Sequence, residues 1–245
     1  MRPLLFQWRG LKISSYPAML YFGLVFGVFA GNIAAHAAHI NAFRVYLATL
    51  ILIAPALAGA RLLYVATHWR FYQDDLRRIW NRRDGGCSMY GGVLPMLLLS
   101  FPLLRFLQLS IGAFWDVSSF TILVAMIFTR VGCLMNGCCA GRRSQSWLSF
   151  FLPGHNRIWQ RRVPTQALEA GWAVVLLFGA FVCWPAMPFP GALFLFVVLT
   201  YAVGRFVMDV FRETEFRSGN FSDAQAISLI AALTSISALT IYWRH

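Results

Sequence analysis

Long apolar runs separated by short polar stretches dominate the pattern of this chain. A helix needs about 20 apolar residues to cross roughly 30 Å of hydrocarbon. Seven runs meet that length: 17–36, 43–67, 89–109, 111–129, 167–187, 191–211 and 224–243. The pattern predicts an all-α integral membrane protein, a bundle of about seven transmembrane helices forming one polytopic domain over 1–245. The first run follows Arg2, Arg9 and Lys12, as a signal peptide would. It is long and lacks an early small-residue cleavage pattern, so it reads as a retained helix. The chain shows no internal repeat and is too evenly apolar to divide into soluble modules.

Composition agrees with this reading. Hydrophobic residues make up 59%, mean hydropathy is +0.62 and only 12% of residues are charged, far from the balance of a soluble globular domain. The net charge of +12 comes from 20 arginines and a single lysine. Arginine's planar fork grips phosphate in two-pronged fashion, so the bias suits phospholipid headgroups. Nucleic acid is not an expected partner, because the charge is spread over loops between spans. The loops 68–86 and 141–164 mix arginine with Trp, Phe and Tyr and are expected at the membrane surface. Loop 141–164 shows no strand alternation. With seven spans, the N-terminus and both loops share one side, which the positive-inside rule makes cytoplasmic.

Five cysteines do not define a disulfide framework. Cys133 and the pair Cys138 and Cys139 lack a second pair or a nearby His at zinc spacing. Packing, or one facultative disulfide, is the expected use, with no metal or cofactor.

Arginine inside a membrane costs several kcal/mol and reads as functional by default. Arg61, Arg130 and Arg205 qualify, whereas Arg105 is near a span end and can snorkel. Arg205 and Asp209 are four apart and within pairing reach on one face. Asp116 and Arg130 share a face but are nearly four turns apart, so Asp116 needs another partner. Arg61 and Tyr64 share a face, and Glu169 lies near the start of the fifth span. His36 and His39 are expected at the interface. The stretch RVGCLMNGCCAGRR over 130–143 follows an apolar run and supplies Gly132, Gly137 and Gly141. These glycines suit either a backbone-amide cradle for an anion or close helix packing through small residues.

That stretch resembles the signature of the prolipoprotein diacylglyceryl transferase family. Other landmarks follow in the family's order: Tyr16 ahead of Met19 and Gly23; Gly59, Arg61 and Tyr64; Tyr90 with Gly91 and Gly92; Trp115 and Asp116; Arg162, Gln166 and Glu169; Gly204, Arg205 and Asp209, with Phe211, Arg212 and Glu213; and Ser222 with Gln225, a pattern that also reads as a capping box. The resemblance implies transfer of a diacylglyceryl group from phosphatidylglycerol, or a similar phospholipid, to the thiol of a lipobox cysteine in a prolipoprotein. It implies a bacterial inner-membrane enzyme whose signature side faces outward, against the arginine count.

By the same resemblance Arg130 and Arg205 hold the phosphate with Arg61 in support, and Tyr90 and Asp209 join them as catalytic candidates. Tyr16, Tyr64, Gly91, Gly92, Asp116, Gly132, Asn136, Gly137, Gly141, Gln166 and Glu169 line the substrate site. Three departures stand out, the lack of strand alternation in loop 141–164 among them. Tyr90 replaces the family's usual His and is a poor base near neutral pH, and Cys138 replaces the acid that commonly follows Asn-Gly. The alternatives are a divergent relative with another acceptor and a phospholipid-binding or translocating protein without chemistry.

Overall fold

The computed structural model describes residues 4–8, 11–73, 75–80, 88–153, 158–212, 217–218 and 221–243. Among these described residues eight α-helices carry the fold: α1 Ser15–Ala37, α2 Ala42–Thr67, the short α3 Trp69–Tyr72, α4 Met89–Phe106, α5 Ile111–Asn136, α6 Thr165–Cys183, α7 Ala192–Asp209 and α8 Asp223–Trp243. Six are long and apolar enough to cross a membrane, and the segment Gly91–Phe106 of α4 is a shorter apolar helix. The chain is a multi-pass membrane protein. Its lipid-like exterior is plain in Phe178 and Phe181, each 70% exposed on α6, where a soluble fold would bury such side chains.

The described residues also form three antiparallel hairpins, one ahead of α1 and two between helices: β1 Leu4–Trp8 with β2 Leu11–Ser14, β3 Phe150–Pro153 with β4 Trp159–Arg162, and β5 Arg217–Ser218 with β6 Phe221–Ser222. The second corrects an expectation. Loop 141–164 contains a strand pair, with Phe151 opposite Arg161 and Leu152 opposite Gln160. Alternation failed to reveal it because apolar and aromatic residues sit on both faces of so short a hairpin.

The helices divide between two compact units, Met1–Ala34 with Trp115–His245, and Ala35–Phe114. In the first, α1 packs on α5 through a row of small residues. A Cβ on Gly27 would lie 2.7 Å from the Thr121 carbonyl oxygen, and one on Gly23 3.0 Å from that of Ala125. Close backbone approach of this kind replaces the hydrophobic driving force that lipid removes. The start of α7 is held by Asp116 of α5, whose two carboxylate oxygens accept from Gly191 N at 2.7 Å and Phe194 N at 2.9 Å. An anion at a helix N-terminus satisfies orphan amides and the helix dipole together. Here Asp116 finds its partner.

At the start of α8 the capping box forms as its sequence predicts. Ser222 N donates to Gln225 Oε1 at 3.1 Å and Gln225 N donates to Ser222 Oγ at 3.2 Å.

The second unit is built on α2 against α4. Gly59 and Gly91 face one another, such that a Cβ on Gly91 would lie 2.5 Å from both the Gly59 carbonyl oxygen and Leu63 Cβ, and one on Gly92 would lie 2.8 Å from the Ala56 carbonyl oxygen. Arg61, buried on α2, donates through Nε to the Ile79 carbonyl at 2.6 Å and through Nη2 to that of Arg78 at 3.3 Å. Its guanidinium therefore anchors the 3-10 turn Leu76–Trp80, and it lies 5.5 Å from the centre of the Tyr72 ring. Tyr64, one turn on, stacks with His68.

Candidate active site

The signature stretch departs from its expected form at both ends. Its helix does not stop at Thr129 but runs to Asn136, so Arg130, Gly132 and Cys133 are helical. Arginine and glycine read as a break only in hydropathy. Here Arg130 is neutralised and Gly132 is needed for packing, because a Cβ on it would lie 2.8 Å from Met19 Cβ and 3.5 Å from the Tyr16 ring. Of the two readings open for these glycines, the amide cradle is not favoured, because three amides of the stretch are already used: Gly137 N donates to the Leu134 carbonyl, Cys138 N to that of Cys133 and Gly141 N to that of Val163. Of the three signature glycines only Gly137 has positive φ, at 74°.

What the stretch does carry is one member of a buried charge cluster. Glu169, near the start of α6 and 3% exposed, pairs through Oε2 with Nη2 of Arg130. Its Oε1 accepts from Arg205 Nη1 at 2.6 Å and lies 3.5 Å from Arg212 Nη1. Arg205 also faces Asp209, with Nη2 3.9 Å from Oδ1, the i,i+4 contact its spacing predicts. Ser222 Oγ donates to Asp209 Oδ2. Three guanidinium groups thus surround one carboxylate, with a second carboxylate at the edge, an excess of one positive charge among these five side chains. Burying such charges is costly unless each is paired, and here the pairing draws on α5, α6 and α7 at once.

Local packing explains how the side chains meet. Gly204 lets Trp172 of α6 lie against α7, since a Cβ there would fall on the indole, and this brings Arg205 up to Glu169 one turn away on α6. Gly141 has the matching role at the cluster's rim. A Cβ on it would lie 2.6 Å from the Phe211 carbonyl oxygen, and its bridge to Arg212 holds that arginine where it reaches Glu169. Gln166 Nε2 donates to the Cys138 carbonyl at 2.6 Å, Thr165 Oγ1 to the Cys139 carbonyl at 2.9 Å and Arg162 Nη1 to the Gly141 carbonyl at 3.2 Å. The first turn of α6 therefore ties down the loop after α5.

Among the described residues, the Nε donors of Arg130 and Arg205 have no hydrogen-bond partner. Both guanidiniums thus carry one buried, unpartnered N–H beside an electropositive cluster. Cys139, just outside α5, is held below the ordinary thiol range by hydrogen bonds from the Cys133 and Cys138 thiols and then by the charges of Arg212 and Arg130.

The structure thus brings together Arg130, Arg205, Asp209, Glu169, Gln166, Gly141, Gly132 and Tyr16. Asn136 and Gly137 lie at the end of α5 beside this group. Asp116 stands apart, at the far end of both α5 and α7 from Arg130 and Arg205. Arg61, Tyr64, Gly91 and Gly92 belong to the other unit, where the two glycines pack helices and Arg61 holds a turn. Tyr90 lies in the first turn of α4, and its side chain lies outside the described residues.

Arg212 was not assigned to the site in advance, although the signal was present. Arg205, Asp209 and Arg212 are spaced i, i+4, i+7, one face of a continued helical path.

The fold and the cluster define a class: a multi-pass helical membrane protein with a buried, arginine-rich polar centre. Residues 3–241 match the family described as prolipoprotein diacylglyceryl transferase. The chain belongs to that family. Among similar proteins, the phosphatidylglycerol--prolipoprotein diacylglyceryl transferase of Clostridium botulinum strain Hall is 26% identical over 237 residues, covering 94% of this chain and 90% of its own length. That of Streptococcus equi subsp. zooepidemicus is 26% identical with 99% and 95% covered, and that of Enterococcus faecalis 26% identical with 98% and 90% covered.

Proposed function

We propose that this chain transfers the diacylglyceryl group of phosphatidylglycerol to the thiol of a lipobox cysteine in a prolipoprotein. Family membership over nearly the whole chain and the names of its relatives support the reaction. The observation that carries it on this molecule is the convergence of Arg130, Arg205 and Arg212 on Glu169.

In the reaction a carbon–sulfur bond forms at the glyceryl carbon that bears the phosphate, the carbon–oxygen bond to that phosphate breaks, and glycerol phosphate departs as a dianion. Arg130 and Arg205 hold the phosphate, with their unpartnered Nε donors turned to it, and charge that grows on the leaving oxygen is stabilised where preorganised donors already wait. Glu169 is the positioning residue. It fixes the planes of both guanidiniums before lipid arrives, so little reorganisation remains. Asp209, held by Ser222 and Arg205, takes the proton that the acceptor thiol gives up. Tyr16, Asn136, Gly137 and Gln166 line the lipid site. The signature end of the bundle faces outward from the bacterial inner membrane. The surrounding arginines engage lipid phosphate rather than acting as free topological signals.

The test is direct. Protein in nanodiscs is mixed with phosphatidylglycerol and a lipobox peptide, and peptide mass is followed. A gain of one diacylglyceryl group, absent with a Cys-to-Ser peptide, is expected. Tight lipid binding with no mass gain, where a relative works, would instead leave a phospholipid-binding protein.

A further inference from the structure

The spacing of Cys133, Cys138 and Cys139 matches no common ligand pattern, yet the fold gathers all three. Their sulfur atoms lie within 4.8 Å of one another. The cause is the way α5 ends. Gly137 takes the left-handed conformation, Gly137 N donates to the Leu134 carbonyl and Cys138 N donates to the Cys133 carbonyl, the bond pair of a Schellman motif. That motif brings the residue after the glycine against the one four places before the glycine, which here puts Cys138 on Cys133. Cys139 then adopts φ 64°, a conformation that costs a side-chain-bearing residue about 1–2 kcal/mol. It turns the third thiol back onto the other two. Hydrogen bonds from Gln166 and Thr165 to the Cys138 and Cys139 carbonyls hold the turn from outside.

We infer that Cys133, Cys138 and Cys139 form a binding site for one thiophilic divalent cation of the zinc and cadmium class. Tetrahedral zinc at about 2.3 Å from each sulfur needs sulfurs about 3.8 Å apart, a small contraction from the spacing present. The chelate runs from a buried thiol, Cys133, to an exposed one, Cys139, so an ion has a path in. Three thiolates on a divalent ion carry one net negative charge, and Arg130 and Arg212 lie within electrostatic reach of Cys139 to offset it. The site is separate from the phosphate reading, since its ligands are sulfur and what it takes is a cation.

Full-length protein in detergent, reduced and freed of metal, is titrated with cadmium while the thiolate-to-cadmium absorption in the ultraviolet is followed. One equivalent per chain is expected, with binding weakened at least about a hundredfold in Cys133→Ser, Cys138→Ser and Cys139→Ser, beyond the usual effect of outer-shell changes. Cys183→Ser binds as the parent does. A second measurement needs no variant: cadmium should protect three thiols, and not Cys183, from maleimide labelling read by mass spectrometry. Absence of the band, uptake that survives loss of Cys133, or labelling of all cysteines at equal rates with cadmium present overturns the inference. Because the readout is metal binding, it stands or falls independently of diacylglyceryl transfer.

Discussion

Glu169 Oε1 lies 2.6 Å from Nη1 of Arg205 although 36 residues separate them in sequence. The same carboxylate also joins Arg130 and Arg212. Removing its charge leaves three guanidiniums facing one another in a buried site, with Asp209 as the remaining anion among these residues. Glu169→Gln should therefore destabilise the protein by about 3 kcal/mol, the scale for breaking a buried pair, measured by thermal unfolding in detergent. Phosphatidylglycerol should restore more stability to this variant than to the parent, because a phosphate supplies the missing negative charge. Equal lipid effects on the two proteins would show that the arginines do not meet the headgroup.

Arg130 and Arg205 each hold Glu169 through a terminal nitrogen and keep a buried Nε without a partner. A lysine keeps the charge but has no fork with which to hold a carboxylate and a phosphate together. Arg130→Lys and Arg205→Lys should each lower kcat at least about a hundredfold, as loss of one oriented donor does. Peptide mass gain at saturating phosphatidylglycerol checks this, and near-normal turnover in either variant would remove that arginine from the phosphate site.

How far the sequence foretold this arrangement depended on the range of each contact. Spans were legible because lipid demands apolar length, and the Arg205–Asp209 pair and the Ser222–Gln225 capping box were legible because both are local. Position alone made Glu169 an acid near a span start, and only the family resemblance put it at the substrate site, since its three partners come from two other helices and a strand bridge. The end of α5 was misjudged because hydropathy cannot distinguish an arginine that leaves the membrane from one that is neutralised inside it. The thiol cluster was hidden for a related reason. A ligand-spacing rule counts residues, whereas a Schellman turn and one left-handed residue bring together sulfurs that no spacing rule groups.

Glycine positions give a sharp comparison. A methyl at Gly91 would press on the Gly59 carbonyl oxygen and on Leu63, whereas a Cβ at Gly171 on α6 meets nothing within 4 Å. Gly91→Ala should force α2 and α4 apart at about 1–3 kcal/mol. Gly171→Ala should be neutral or stabilise by up to about 1 kcal/mol through helix propensity. Unfolding midpoints of the two variants check the contrast, and a Gly91→Ala protein as stable as its parent would mean that the two helices do not meet there.

Asp116 separates a cap from a ligand. Each of its oxygens accepts one amide at the start of α7, and Arg130 lies fourteen residues further along α5, about 21 Å at 1.5 Å per residue. Asparagine retains one oxygen and turns an amide donor toward the second N–H, so Asp116→Asn should lose about 1 kcal/mol of stability. Because α7 still folds at working temperature, KM for phosphatidylglycerol and kcat per folded molecule should stay near the parent's. A substrate-binding Asp116 predicts the reverse, a raised KM with an unchanged melting temperature. Measuring both quantities on one preparation decides between them.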